Sequence, residues 1–243
     1  MISHGHDTAG ARTLVHLLRR TATEQPEGRV FSAVEGEAAG LTFADLDRTA
    51  RAVASALQHA KVRPGERALL FYPPGLSLVP ALFGCLYAGV VAVPAALPST
   101  VEGPSPWLLS LLESCQPAVA LTTTAALVPC RAAVLAAGTL EELPWLVTDA
   151  VSPASARGFR EVPVAPETAA MLYNPAPGAG EGGVVTHARL MGVSMRGPGS
   201  VRAGSTWLPT LQDLGLVRGG PGPRSVPADG GFLAPEPADT TAA

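Results

Sequence analysis

Lysine is almost missing from this chain: Lys61 stands alone beside sixteen arginines in 243 residues. Chemistry that needs a lysine at a phosphate or carboxylate must use Lys61 or do without it. Lys61 lies in HAKVRPGE, a turn where it is expected to be solvated, and no role is assigned to it. Charge of either sign is sparse, at 15% of residues with a net −3, so the basic footprint that nucleic acid or an anionic membrane selects is absent. Long apolar runs are lacking too. The longest, residues 76–97, is broken by Pro80, Gly84, Gly89 and Pro94, short of the roughly 18 residues of a membrane span, and no membrane insertion is expected. The opening MISHGHDTAG has no basic region leading into an apolar stretch, so no secretory signal is read and a cytoplasmic protein is expected.

Cysteines are few, odd in number and widely spaced. Cys85, Cys115 and Cys130 form no CxxC pair, which favours buried reduced thiols over a metal site or a disulfide framework. The histidines, at positions 4, 6, 16, 59 and 187, are scattered, and no metal site is implied. What is present is an apolar fraction of 47%, in a chain long enough to bury a core.

Helical and extended patterns alternate along the chain, which predicts an α/β fold with parallel crossovers. Thr13 is placed to cap a helix carrying Leu14, Leu17, Leu18 and Ala22, and Thr42 a second with Leu46, Ala50, Val53 and Leu57 at helical spacing. Between them residues 29–34 read as a strand. RALLFY, residues 67–72, is a buried strand closed by Pro73, Pro74 and Gly75. Residues 77–88 are helical with Gly89 in the stop position, and residues 90–94 form the next strand. Helices over 106–114 and 125–136 alternate with strands over 118–122 and 145–148. Residues 151–166, rich in Pro and Ala, read as a loop and a seam within the domain. Beyond them come a strand over 168–173, a return strand at Val184 and Val185, a helix over 188–194 and a strand over 206–208. Residues 219–243 are rich in Pro, Gly and Ala, cannot bury a core and read as a flexible linker or tail. The expected organisation is a flexible terminus over 1–12, one domain over 13–218 and the tail over 219–243.

Residues 173–187, YNPAPGAGEGGVVTH, resemble the YTSGSTGTPKGVMVTH signature of adenylate-forming enzymes, which activate a carboxylic acid by transferring AMP to it from ATP. Tyr173 precedes the loop, and Gly183, Val184, Val185, Thr186 and His187 close it. The hydroxyl-rich middle has become Asn174, Pro175, Ala176, Pro177, Gly178, Ala179 and Gly180, and the lysine has become Glu181 or Gly182. Three further stretches are similar to the fatty acyl-AMP ligase branch of that superfamily: residues 41–58 (LTFADLDRTARAVASALQ), residues 67–95 (RALLFYPPGLSLVPALFGCLYAGVVAVPA) and residues 206–216 (TWLPTLQDLGL, like the family's WLPLYHDMGL). Their order makes this a resemblance to the N-terminal part of such a ligase, spanning Thr13 to about Gly220. It implies that part's fold, a mostly parallel sheet flanked by helices. The adenine- and ribose-binding motifs, the hinge and the small domain with the catalytic lysine lie beyond the resemblance. The chain therefore reads as an excised fragment or a naturally truncated relative.

A phosphate cradle needs convergent N–H groups, hydroxyls and usually a cation. Pro175 and Pro177 remove two N–H donors, and Glu181 would repel a phosphate. Asn174, Gly178, Gly180, Gly182 and Gly183 keep only close backbone approach, so adenylation is not expected and no cofactor is assigned, ATP and magnesium included. His187 titrates near neutrality and is expected to face the old cleft as an acid or base, or else to be a capping or core histidine. Asp213 stands where the family has Asp, with Gln212 in place of its histidine; it either pairs with His187 or caps a turn. The resemblance implies an acyl pocket near Tyr173, Trp207, Leu208, Leu211, Gln212, Leu214 and Leu216, residues that equally suit an ordinary core.

These readings lead to three expected functions. The first is a ligase-like domain of a polyketide or lipopeptide assembly line. It would act on acyl thioesters tethered to an acyl carrier protein without ATP, including a lyase step such as dehydration of a β-hydroxyacyl thioester through His187 and Asp213. The tail would tether it to a carrier or neighbouring synthase module. The second is a non-catalytic carrier-docking scaffold. The third is an acid–AMP ligase completed by another chain.

Overall fold

A computed structural model describes residues 13–28, 41–73, 76–97, 106–137, 143–173 and 183–194. The strands expected at 29–34 and 206–208, the N-terminal 1–12 and the tail over 219–243 lie outside the described residues.

Local chemistry starts the helices where the side chains call for it. In α1 (Leu14–Glu24), Thr13 Oγ1 accepts from the His16 N–H at 3.3 Å. In α2 (Phe43–His59), Thr42 Oγ1 accepts from the Asp45 N–H at 3.0 Å. Each hydroxyl satisfies one of the amide donors that a helix start leaves open. Leu46, Ala50, Val53 and Leu57 are all buried on one stripe of α2. The helix α3 (Leu78–Ala88) is buried nearly all round and ends at Gly89, whose φ of 68° is the left-handed cap that glycine adopts without strain.

The sheet comprises β1 (Arg67–Phe71), β2 (Val91–Ala95), β3 (Val119–Thr122), β4 (Trp145–Val147), β5 (Ala169–Tyr173) and β6 (Gly183–Thr186), in the order β4-β3-β1-β2-β5-β6. All pairs are parallel except β5 with β6. Pro94 has no N–H to give to a ladder, and β2 meets β5 only at Ala92↔Met171.

Alternation along the strands feeds two cores. Ala68, Leu70, Tyr72 and Ala92 pack with α1, α2 and α3; Leu69, Phe71, Val93 and Ala120 pack with α4 (Pro106–Cys115) and α5 (Thr124–Ala136). Covering both faces is what a parallel sheet requires, and it explains the near-continuous apolar runs of β1 and β2. The helix α6 (His187–Ser194) joins the first layer through Leu190 and Met191. Cys85, Cys115 and Cys130 are buried and free, as read from their spacing.

Residues 151–166 are not a seam. The 3-10 segment Pro153–Gly158 lies across α2, and residues 159–161 are pinned to the same helical layer. Gln58 Nε2 donates to the Arg160 carbonyl at 2.7 Å, and the Arg160 N–H donates back to Gln58 Oε1 at 3.0 Å. Phe159 stacks on Tyr87, centroids 5.7 Å apart, and Arg19 pairs with Glu161. The stretch is a strap that carries the chain over the first helical layer from β4 to β5.

Candidate functional site

The five parallel strands end on one rim, at Phe71, Ala95, Thr122, Val147 and Tyr173. Sheets of this type bind ligands outside their carboxyl ends, where the strand order reverses. Here that point lies between β1 and β3: the chain goes from β1 through α3 to β2 on one side, then through α4 to β3 on the other.

Three hydroxyls meet at this point. Tyr72 comes directly after β1, Thr122 ends β3 and Thr148 comes directly after β4. Tyr72 and Thr148 share a hydrogen bond of 2.7 Å, Thr148 Oγ1 donates to the Thr122 carbonyl at 3.3 Å, and Thr122 Oγ1 donates to the Phe71 carbonyl at 3.0 Å. Burial holds the Tyr72 phenol well above its ordinary pKa, so it stays a neutral hydrogen-bonding group. Beside it, the Asp149 carboxylate accepts from the Thr124 N–H at 2.9 and 3.1 Å and from Thr124 Oγ1 at 3.0 Å, which places an anion at the start of α5 where the helix dipole favours one. The set is polar, buried and mutually satisfied: it stiffens the rim. The sequence reading missed it; the signal was a tyrosine set directly between a buried strand and a Pro–Pro–Gly turn.

Residues 173 and 183, which flank the loop over 174–182, lie on the same rim. β5 and β6 form the loop's frame, with Leu172 opposite Val184 and Tyr173 opposite Gly183. The loop therefore leaves and re-enters the fold at the carboxyl end of the sheet, as a ligand-facing loop would. Gly183 has no atom within 4 Å of a Cβ built on it.

His187 is elsewhere. Because β6 runs back against β5, Thr186 stands opposite Ala169, and the His187 N–H donates to the Thr168 carbonyl at 3.1 Å. That is the amino end of β5. Four residues of strand separate His187 from Gly183, roughly 13 Å at about 3.3 Å each. The expectation that His187 faces the cleft is corrected by this geometry. The imidazole is 1% exposed, its Nδ1 has no hydrogen-bond partner, and burial, with a smaller contribution from His16 on α1, pushes its pKa down to about 4. It is a neutral core histidine at pH 7. The antiparallel return of β6, expected from Val184 and Val185, carries it a full strand length away from the loop.

Of the other residues singled out from sequence, Gly183 and the backbone of Tyr173 frame the loop. Asn174, Gly178, Gly180, Gly182, Trp207, Leu208, Leu211, Gln212, Asp213, Leu214 and Leu216 lie outside the described residues. Lys61 is exposed, with a φ of 62° just past the end of α2.

Comparison with known proteins gives a consistent picture. The model of the AMP-binding enzyme family matches residues 18–173, ending at the last residue of β5. A medium-chain-fatty-acid–acyl-carrier-protein ligase of Moorena producens is 32% identical over 85% of this chain, which covers 37% of that ligase. A long-chain-fatty-acid–AMP ligase of Mycolicibacterium smegmatis is 40% identical over 38% of this chain and 14% of its own length. Among solved structures, the fatty acid AMP ligase of Legionella pneumophila matches with a TM-score of 0.65 at 23% identity, over 79% of this chain and 33% of that one. The chain thus spans little more than a third of the length of the first of these relatives.

Proposed function

The chain belongs to the AMP-binding enzyme family, and on that premise we propose that it is a fatty acyl-AMP ligase-like unit that binds acyl groups carried by an acyl carrier protein and does not itself adenylate them. One observation carries the reading: the frame of the phosphate loop is kept at the carboxyl rim while the donor set within it is gone. Tyr173 and Gly183 hold the ends of the loop, but Pro175 and Pro177 offer no N–H and Glu181 brings the wrong charge. ATP and its magnesium do not fit that donor set. The similarity to a ligase whose product is a loaded carrier protein supports the acyl carrier as partner.

A lyase step through His187 and Asp213 forms no part of this reading, since His187 is buried at the far end of β6. A second reading rests on the same similarity to that ligase: an active ligase completed by another chain is the competing function.

Two measurements separate them. Calorimetric titration with a medium-chain acyl carrier protein should show the acylated form binding about tenfold or more tighter than the unloaded form, roughly 1.4 kcal/mol. ATP–pyrophosphate exchange should stay at background both for the isolated chain and with the remaining part of the Moorena producens ligase supplied in trans. Equal binding of both carrier forms would reduce the role to docking, no binding would remove it, and clear exchange would establish the ligase reading instead.

A further inference from the structure

One part of the sheet has no cover among the described residues. The α4/α5 core takes in Leu69, Phe71, Val93, Ala95 and Ala120 from β1, β2 and β3, and reaches β5 only through the partly buried Leu172. Among the described residues β6 adds nothing to it. Leu172 stands opposite Val184, and Val184 is 55% exposed, whereas its neighbour Val185 is buried in the other layer with Met171. Leu97, two residues past the end of β2, is 40% exposed. On this face the cover thus thins at Leu172 and, among the described residues, ends before Val184, while the other face is covered. Sheets that are parallel over most of their width are covered on both.

We infer that the Leu172–Val184 face is the docking surface for residues 206–216 of this same chain. After Ser194 the sequence has one stretch dense in bulky apolar side chains, TWLPTLQDLGL, with Trp207, Leu208, Leu211, Leu214 and Leu216 and the single charge Asp213. Leaving these side chains in water forgoes the stabilisation that burial of apolar surface provides, and the same holds for Val184. Reach is no obstacle: the connection from Ser194 to Trp207 can extend about 40 Å at roughly 3.3 Å per residue, against about 24 Å for the width of six strands spaced at about 4.8 Å. The similarity to the Moorena producens ligase covers 85% of the chain, more than the residues up to Ser194 amount to, so the sequence similarity continues past α6. A second copy of the chain is the competing occupant. The inference is independent of the acyl-carrier reading.

Hydrogen–deuterium exchange of the full chain tests it. Backbone amides of residues 206–216 should be protected at least about tenfold over an unstructured peptide, and the protection should be unchanged on dilution while light scattering reports a monomer. Val184→Asp, at an exposed position, should abolish that protection and leave the exchange of β1 and β3 as it is. Leu208→Asp, outside the described fold, should in turn speed exchange in β5 and β6. Unprotected 206–216 in the parent chain, protection that survives both substitutions, or protection that appears only as a dimer forms would each overturn the assignment.

Discussion

Tyr173 of β5 stands directly opposite Gly183 of β6, so a backbone register brings the two ends of the intervening segment together. That makes the frame tolerant at Gly183. A methyl group there meets no atom within 4 Å, and Gly183→Ala should change the unfolding free energy by less than about 0.5 kcal/mol. Gly84 is the contrast. A Cβ on it would sit 2.4 Å from Val53 Cγ1 and 2.6 Å from Val53 Cβ, between α3 and α2. Gly84→Ala should cost about 3 kcal/mol through overpacking. Urea melts of the two variants check the pair, and a Gly84→Ala protein as stable as its parent would show that the two helices can move apart.

One side chain of α2 ties the strap down with two hydrogen bonds. Gln58 both donates to and accepts from the backbone of Arg160, at 2.7 and 3.0 Å, and both partners are near the surface. Gln58→Ala should cost only about 1 kcal/mol overall. Locally it should release the segment around Arg157 and Arg160, which trypsin recognises. Limited proteolysis should therefore cut there several-fold faster in the variant, by roughly the factor of 5 that about 1 kcal/mol represents. An unchanged rate would mean that the Phe159–Tyr87 stack and the Arg19–Glu161 pair hold the strap without Gln58.

The three thiols should be silent in the native protein. Burial pushes Cys85 up to about 12, and Cys115 and Cys130 up to about 11, so the reactive thiolate is scarce at pH 8 as well as inaccessible. A thiol-reactive chromophore should report no fast-reacting group before denaturant is added and all three afterwards. A rapid native reaction at any of them would contradict the packing around it.

Much of this fold was legible because its signals are local. Thr13, Thr42 and Gly89 mark helix ends by short-range bonding and by φ, and the apolar strands at Arg67–Phe71 and Val91–Ala95 announce burial on both faces. What was not legible is long-range. Gln58 and Arg160 are 102 residues apart, so residues 151–166 looked like a seam when they are a strap. The site suffered in the same way: the hydroxyls of Tyr72, Thr122 and Thr148 come from three separate strand ends. His187 comes soon after the loop in sequence yet lies at the opposite end of the sheet, because β6 spans four residues antiparallel to β5, a length that the two-residue return strand read at Val184 and Val185 did not give.

His187 gives the fold a pH dependence of definite sign. In the folded chain its pKa is pushed down from 6.5 to about 4 by burial, with His16 adding a little. Once unfolded it titrates near 6.5, so between those limits the unfolded state holds a proton that the folded state refuses. Stability is then highest above about pH 6.5, falls as the pH drops from there toward 4, and levels off below, a loss of about 3 kcal/mol from this group. Glu161, held low by its hydrogen bond to Arg19, contributes in the same direction at lower pH, as paired carboxylates do. His187→Leu isolates the imidazole. Its Nδ1 has no partner in the fold, so that bond is not there to lose, and the variant cannot be protonated in either state. Urea midpoints at pH 7.5 and pH 5 should differ clearly in the parent chain and by much less in His187→Leu. An equal drop in both would place the acid sensitivity elsewhere and would mean that the imidazole gains a partner on protonation.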